Sequence, residues 1–226
     1  EKPAGLVVHP APGNWRGTLL NGLLARDPAC ARLPRAGIVH RLDKDTSGLM
    51  VVARTRAAME ALVRLIAARR VTRQYLALAG GPWRAGASRE VHAAIGRDPA
   101  NRLRMAVVDL THQSGKTAHT TLRCLASNDV ACLVQCTLHS GRTHQIRVHM
   151  AHAGHPLVGD GLYGGPMQLG LERQALHAFR LRMAHPITQA PLHFEAPIDA
   201  THASDIHALL SRLDLLDGLS LVNVQG

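Results

Sequence analysis

Aromatic side chains are scarce in this sequence: two Trp, two Tyr and two Phe make up 3% of 226 residues. So few rings cannot build the repeated stacking platforms of a protein that reads single-stranded nucleic acid base by base. Cysteine is almost as rare. The four present, Cys30, Cys124, Cys132 and Cys136, include no Cys-x-x-Cys pair, which excludes a zinc ribbon or a dithiol redox motif and fits a reducing compartment. Cys132 and Cys136 fall in an apolar, alternating segment, so both belong to one face of a strand and to its core. No apolar run approaches the roughly 20 residues that cross a bilayer. The sequence therefore predicts a soluble, cytoplasmic chain without membrane contact. No signal peptide opens it, and since it begins at Glu1 rather than Met, a preceding N-terminal portion is expected.

Acidic residues are also in short supply. Asp and Glu total 16 against 26 Lys and Arg, most of them Arg, for a formal charge of +10. The arginine fork matches phosphate oxygens two at a time, so this balance favours a polyanionic partner. The cations spread from Arg16 to Arg182 instead of lining one amphipathic helix, which argues against a membrane surface. Charge alone does not separate a nucleic-acid enzyme from a merely basic protein.

Hydrophobic periodicity divides the chain into short elements. The chain starts inside what reads as a first strand, the apolar stretch Leu6 to His9 precedes a turn-forming run at 10–14, and Thr18 caps a helix through Leu24. Arg26 to Arg35 reads as a polar connection. Leu49 to Ala53 reads as a buried strand, and Thr55 caps a helix carrying Met59, Leu62, Val63 and Ile66 at helical spacing. Strands are expected at Gln74 to Ala79, Val91 to Ile95 and Met105 to Val108. Thr117 to Leu125 and Val130 to Leu138 form an antiparallel hairpin across Ser127-Asn-Asp129. Gln145 to His152 reads as a helix, Phe179 to Met183 and Leu192 to Phe194 as strands, and Ser204 to Leu216 as a helix with a Ser cap. Strands outnumber helices and follow one another, so a single α+β domain with a mixed, largely antiparallel sheet is predicted over residues 1–226. No internal repeat or linker interrupts it.

Chemistry concentrates in His40-Arg-Leu-Asp-Lys-Asp-Thr-Ser-Gly48, where polar groups stand directly before a buried strand. Asp43, flanked by Arg41 and Lys44, would keep its charge at neutral pH, as a nucleophile or base requires. Asp43, Asp45 and Ser47 imitate the opening of a calcium loop, but its twelfth position holds Arg54 where a bidentate Glu belongs. Asp43 could equally cap a turn, and spacing alone leaves that alternative level with catalysis. A second dense segment runs from Gly141 through Arg142, His144 and Arg147 to Met150, followed by His152, His155, Pro156-Leu-Val-Gly-Asp160 and Tyr163. Its histidines, His144, His149, His152 and His155, do not share one helical face and lack an obvious carboxylate or thiol partner, so no metal is predicted there. Ser114-Gly-Lys-Thr117 imitates the end of a phosphate-binding loop, but Leu110 stands where the pattern needs Gly, and an NTPase is excluded.

The segment from His40 to Gly48 resembles the signature of the RluA-type pseudouridine synthases, in which its first Asp is the catalytic residue. The resemblance extends from Lys2-Pro-Ala-Gly-Leu-Val-Val-His-Pro10 to Leu176-His-Ala-Phe-Arg-Leu181, with three motifs in order. It implies that Asp43 is catalytic, that Arg41 takes the place of an extruded uridine in the RNA stack, and that Tyr75, in Arg73-Gln-Tyr75, packs against the target base. It implies further that Arg147 is the buried partner of the catalytic Asp. Arg73, Arg142, His144 and Lys44 are candidate RNA contacts, with Arg142 and His144 also able to organise the site. Without the resemblance, Tyr75 would be ordinary half-buried core at the start of a strand, and the residues of the second segment would be solvated helix surface.

The implied reaction breaks the C1′–N1 bond of a uridine in RNA, turns the uracil and joins C1′ to C5. A carboxylate serves it by covalent attack on sugar or base, or by removing a sugar proton, and sequence does not choose among these routes. The base must first flip into a pocket that excludes water. No metal or organic cofactor is required. The segments at 35–40 and 147–152 look closest to family members that modify large-subunit (23S) ribosomal RNA, whose affinity should weaken steeply with salt. Many members carry a small RNA-binding domain ahead of the catalytic one, expected to be absent from this chain. A monomer is expected. Three alternatives stay open: a silent RNA-binding or ribosome-assembly module, a synthase acting on tRNA, and a hydrolase that would release free uracil, for which no second carboxylate stands at a convincing position.

Overall fold

A computed structural model describes residues 1–167 and 169–222. Along the chain come helix α1 (Leu19–Arg26), strand β1 (Ser47–Gly48), helix α2 (Arg56–Ala67), and strands β2 (Thr72–Gly80), β3 (Ser88–His92), β4 (Ile95–Arg97), β5 (Met105–Val107) and β6 (Gly115–Lys116). Strands β7 (His119–Ser127) and β8 (Ala131–Leu138), helix α3 (Gln145–His152), strands β9 (Leu176–Ala184) and β10 (Pro191–Glu195), and helices α4 (Ser204–Arg212) and α5 (Asp217–Ser220) follow. The main sheet runs β1-β9-β2-β8-β7-β3, with β10 paired to β9; a small sheet orders β5-β4-β6. Only β1 pairs parallel to its neighbour β9; the other pairings of the main sheet are antiparallel. The predicted α+β class with a largely antiparallel sheet is what forms.

Strand β2 shows why the sheet sits at the centre. Alternate side chains of a strand face opposite ways, and here Leu76 and Leu78 join a core with Leu133, Phe179, Ile206 and Leu210 on the side of α4. Tyr75, Ala77 and Ala79 join Cys132, Val134, Cys136, Ile146 and Met150 on the side of α3. With both faces covered, a strand becomes nearly continuously apolar. Cys132 and Cys136 share the α3 face and are fully buried, as their spacing predicts. Helix α2 covers the β9 end through Leu62 against Leu181 and Met183.

Several expectations need correction. The first strand expected at the start of the chain reduces to an isolated bridge at Lys2, whose backbone bonds Gly48 in both directions at 2.8 and 2.9 Å. The strand expected at Leu49 to Ala53 shrinks to Ser47–Gly48 and an isolated bridge between Ile38 and Val52. Val91 to Ile95 splits into β3 and β4, which belong to different sheets. The connection from Arg26 to Arg35 is not simply polar: two short helical turns bury Cys30 and Leu33. Helix α4 stops at Arg212, and Ser204 does not cap it: the residue before the helix, Ala203, is left-handed and makes no side-chain cap. Gly115–Lys116, set aside as a false phosphate loop, is β6. The other two caps read from sequence do form, Thr18 accepting from Asn21 N–H and Thr55 from Ala58 N–H.

Candidate active site

A cleft of about 390 Å³ opens between the loop 39–46, the end of β8 and the start of α3. Its walls include Asp43, Tyr75, Arg147, Arg41, Arg73, Arg142 and His144, so the cleft unites all but one of the side chains singled out in the sequence. The exception is Lys44, which is exposed and does not line it. Asp43 is the one carboxylate on these walls among the described residues, surrounded by five arginines once Arg69 is added. Sequence gave no reason to place Arg69 here; it lies just past α2 with φ +59, and this turn brings it to the rim.

The loop carrying Asp43 has almost no secondary structure and is held from several sides instead. Lys2 is buried, and its Nζ donates to the carbonyl of Lys44 at 2.8 Å and to those of Pro3 and Leu6 at 2.7 and 3.0 Å. Burial pushes the Lys2 amine down to about 8, against the attraction of Asp45 and Asp43, so at neutral pH it still offers a proton to each carbonyl. Arg173 Nη1 donates to the Asp45 carbonyl at 3.1 Å, and Gln174 Nε2 to Thr46 Oγ1 at 3.2 Å. Ser47 Oγ meets His177 Nδ1 at 2.8 Å. Since His177 Nε2 faces the Ala196 carbonyl at 2.8 Å, the ring proton sits on Nε2 and Ser47 donates to Nδ1. Buried groups satisfied in this way hold a loop in one conformation.

Among the described residues, the Asp43 carboxylate accepts one hydrogen bond, from Arg147 Nη1 at 3.4 Å, and caps no backbone amide. The turn-capping alternative is thereby removed. Arg147 is nevertheless not primarily its partner. Nε and Nη2 form a bidentate pair with Asp160 at 2.7 and 2.8 Å, and the Asp160 side chain is only 1% exposed against 18% for Asp43. Burial disfavours the Arg147 charge, but Asp160, with Asp43 adding, holds its pKa above the ordinary value. Arg147 also lies over the Tyr163 ring, 4.9 Å from its centroid. Asp160 and Tyr163 belong to the second sequence motif, where spacing alone assigns neither a role.

His144 occupies the left-handed position before α3, φ +56, with Nδ1 2.8 Å from Tyr163 Oη. Tyr163 Oη also accepts from Met105 N–H at 2.9 Å. Burial and the neighbouring Arg147 hold the imidazole below its usual pKa, against the pull of Asp43. His144 is therefore held towards its neutral form. Tyr75 is buried, and burial pushes its phenol to about 12; it is an apolar wall that carries no charge at working pH. Arg73 is also buried, and its Nε has no hydrogen-bond partner among the described residues. Its Nη1 would lie 2.9 Å from a Cβ at Gly141, so the glycine makes room for the guanidinium. Arg142 Nε donates to the Thr117 carbonyl at 3.1 Å, and Gln145 ties that loop to β7.

A sequence profile describing RNA pseudouridylate synthases matches residues 1–152. The chain is 51% identical over 233 aligned positions to the ribosomal large subunit pseudouridine synthase D of Neisseria meningitidis serogroup B, covering 97% of this chain and 59% of that protein. It is 48% identical over 211 positions to the protein of the same name from Escherichia coli K12, covering 88% and 63%. The chain thus spans about three fifths of the length of these curated relatives. Human RNA Pseudouridylate Synthase Domain Containing 1 superposes with a TM-score of 0.66 at 29% identity, covering 94% of this chain and 89% of that one. The matched profile contains the loop of Asp43, the strand of Tyr75 and the helix of Arg147, which the fold gathers around one cleft. On that match, that identity and that shared fold, the chain belongs to the RNA pseudouridylate synthase family.

Proposed function

We propose that this chain isomerises uridines within RNA to pseudouridine, with large-subunit (23S) ribosomal RNA as substrate, acting as a monomer in the cytoplasm. The observation that carries the reading is the carboxylate of Asp43, the one on this arginine-rich cleft wall among the described residues, facing Arg147 at 3.4 Å beside the buried ring of Tyr75. The substrate class follows from the names of the relatives that share about half of its sequence. No helix among the described residues is long and apolar enough to cross a membrane.

A flipped uridine would enter with its base against Tyr75 and its C1′ towards Asp43. Arg147, fixed by Asp160, aims the carboxylate through its 3.4 Å contact. The same groups serve a covalent attack or removal of a sugar proton. Arg41, Arg69 and Arg142 line the mouth, where phosphates of a bound strand would lie. Every one of these steps uses side chains alone, so no cofactor is proposed for the reaction.

The test is to incubate the protein with 23S rRNA and with a tRNA pool, both transcribed without modification, and to map pseudouridine by chemical labelling and mass spectrometry. Pseudouridine at discrete positions in the 23S transcript, with unmodified tRNA, is the expected result. Modification of tRNA alone would overturn the substrate class, and release of free uracil without pseudouridine would overturn the reaction.

A further inference from the structure

A second group of ionisable side chains stands on the sheet next to the cleft, and the isomerisation makes no use of it. Glu90 and His92 are two residues apart on β3 and so project from the same face. His119 of β7 lies directly opposite His92 in the antiparallel register, and Thr121 lies opposite Glu90. The His92 and His119 rings stack with centroids 3.8 Å apart, and His139, just past β8, continues the stack 4.1 Å from His119. His119 Nε2 is hydrogen-bonded to Glu90 Oε2, which also accepts from Thr121 Oγ1 at 3.0 Å. One ligand atom from each of Glu90, His92 and His119 lies within 4.8 Å of the other two.

Two residues at i and i+2 of one strand with a third directly across form a three-sided site on a rigid base, since strand pairing fixes all three Cα positions. Ligand atoms of a tetrahedral zinc centre with bonds of about 2.1 Å stand roughly 3.4 Å apart. Glu90 and His92 are exposed, so rotation about their side-chain bonds closes the remaining ångström or so without moving the backbone. Two imidazoles and one carboxylate suit zinc, nickel or copper and disfavour magnesium and calcium, which take oxygen donors.

We propose that Glu90, His92 and His119 form a surface binding site for a divalent late-transition cation, best matched by zinc, with a fourth position open to water. The cation replaces the hydrogen bond between Glu90 and His119 and clips β3, the edge strand, to β7. Its neighbourhood is not isolated from the cleft. Arg69 and Ser140 line both the cleft and the groove beside His92 and His119. Ser140 Oγ accepts from His119 N–H at 3.0 Å, and the His119 carbonyl accepts from Gln145 Nε2 at 2.9 Å. Occupancy therefore adds positive charge and rigidity at a rim over which RNA would pass.

Calorimetric titration of the untagged chain with zinc chloride in a non-chelating buffer tests the site. One zinc per chain is expected, accompanied by a zinc-dependent rise in melting temperature. Glu90→Gln and His92→Ala should each weaken binding by at least about 100-fold, since even outer-shell partners of a metal are worth about 10–100-fold. His112→Ala, at an exposed histidine outside the cluster, should change nothing. Metal-free melting temperatures of the variants show that the fold is intact. Absence of zinc binding by the unaltered chain, or equally tight binding by the Glu90→Gln, His92→Ala double variant, would overturn the proposal whatever the outcome for RNA modification.

Discussion

Arg147 presents two of its nitrogens to Asp160 and only the third to Asp43, at 2.7 and 2.8 Å against 3.4 Å. Asp160 is the buried anchor, and Asp43 is the more accessible carboxylate that the anchored arginine faces. This division suits catalysis. A carboxylate gripped by a bidentate pair would have its lone pairs occupied, whereas a single long contact leaves Asp43 able to react.

Replacement of the anchor should therefore damage both stability and chemistry. Asp160→Asn leaves a buried guanidinium with no full counter-charge, and breaking one partner of a buried pair costs about 3–5 kcal/mol. A lowered denaturation midpoint, with turnover reduced even where the variant is folded, is the expected outcome. An unchanged midpoint would show that Arg147 is anchored by something else.

Gly48 closes the motif at a junction of three chain segments. Its backbone bonds Lys2 in both directions, its φ is +108, and an added Cβ would lie 2.2 Å from the Ala178 carbonyl oxygen. Neither backbone can yield without breaking β1 from β9 or Lys2 from the loop. Gly48→Ala should cost several kcal/mol, on the order of an overpacked core or more, and lower activity through the displaced Asp43 loop. Near-native melting of the variant would contradict this assignment.

Acid should destabilise the fold in a defined window. His40 Nε2 accepts from Val51 N–H at 2.9 Å, and burial, with Arg73 adding, pushes the imidazole from 6.5 to about 4. Between those values the unfolded chain binds the proton and the folded chain does not, so stability is complete above about 6.5 and falls as pH drops towards 4. The difference corresponds to on the order of 3 kcal/mol. Urea denaturation at a series of pH values should show this fall, and His40→Gln should flatten it. An equally steep profile in His40→Gln would assign the effect to other buried histidines, of which His177 and His149 are shifted the same way.

The parts of the fold that were legible in the sequence are those decided locally. Thr18 and Thr55 announce helices because a cap is a contact within four residues, and the β7–β8 hairpin follows from Asn128 between two alternating segments. The segment from Leu49 to Ala53 misled because it is apolar for reasons of packing, beside α2 and β9, and lacks a neighbour for a continuous ladder. The site was legible where a motif named the residue, as with Asp43, Tyr75 and Arg147. Asp160, Tyr163 and Arg69 were not, because their roles depend on which side chains the fold brings across from other segments. Lys44 shows the converse: adjacency in sequence to Asp43 placed its side chain outside the cleft, while its carbonyl became the anchor point for Lys2.

The central claim is that Asp43 performs the chemistry, and release of label from C5-tritiated uridine in a 23S rRNA transcript tests it most directly. The unaltered protein should release tritium, and Asp43→Asn should release none while keeping its melting temperature and most of its affinity for the transcript, because the substitution preserves shape and removes only the charge. Release by Asp43→Asn at the rate of the unaltered protein would contradict the account.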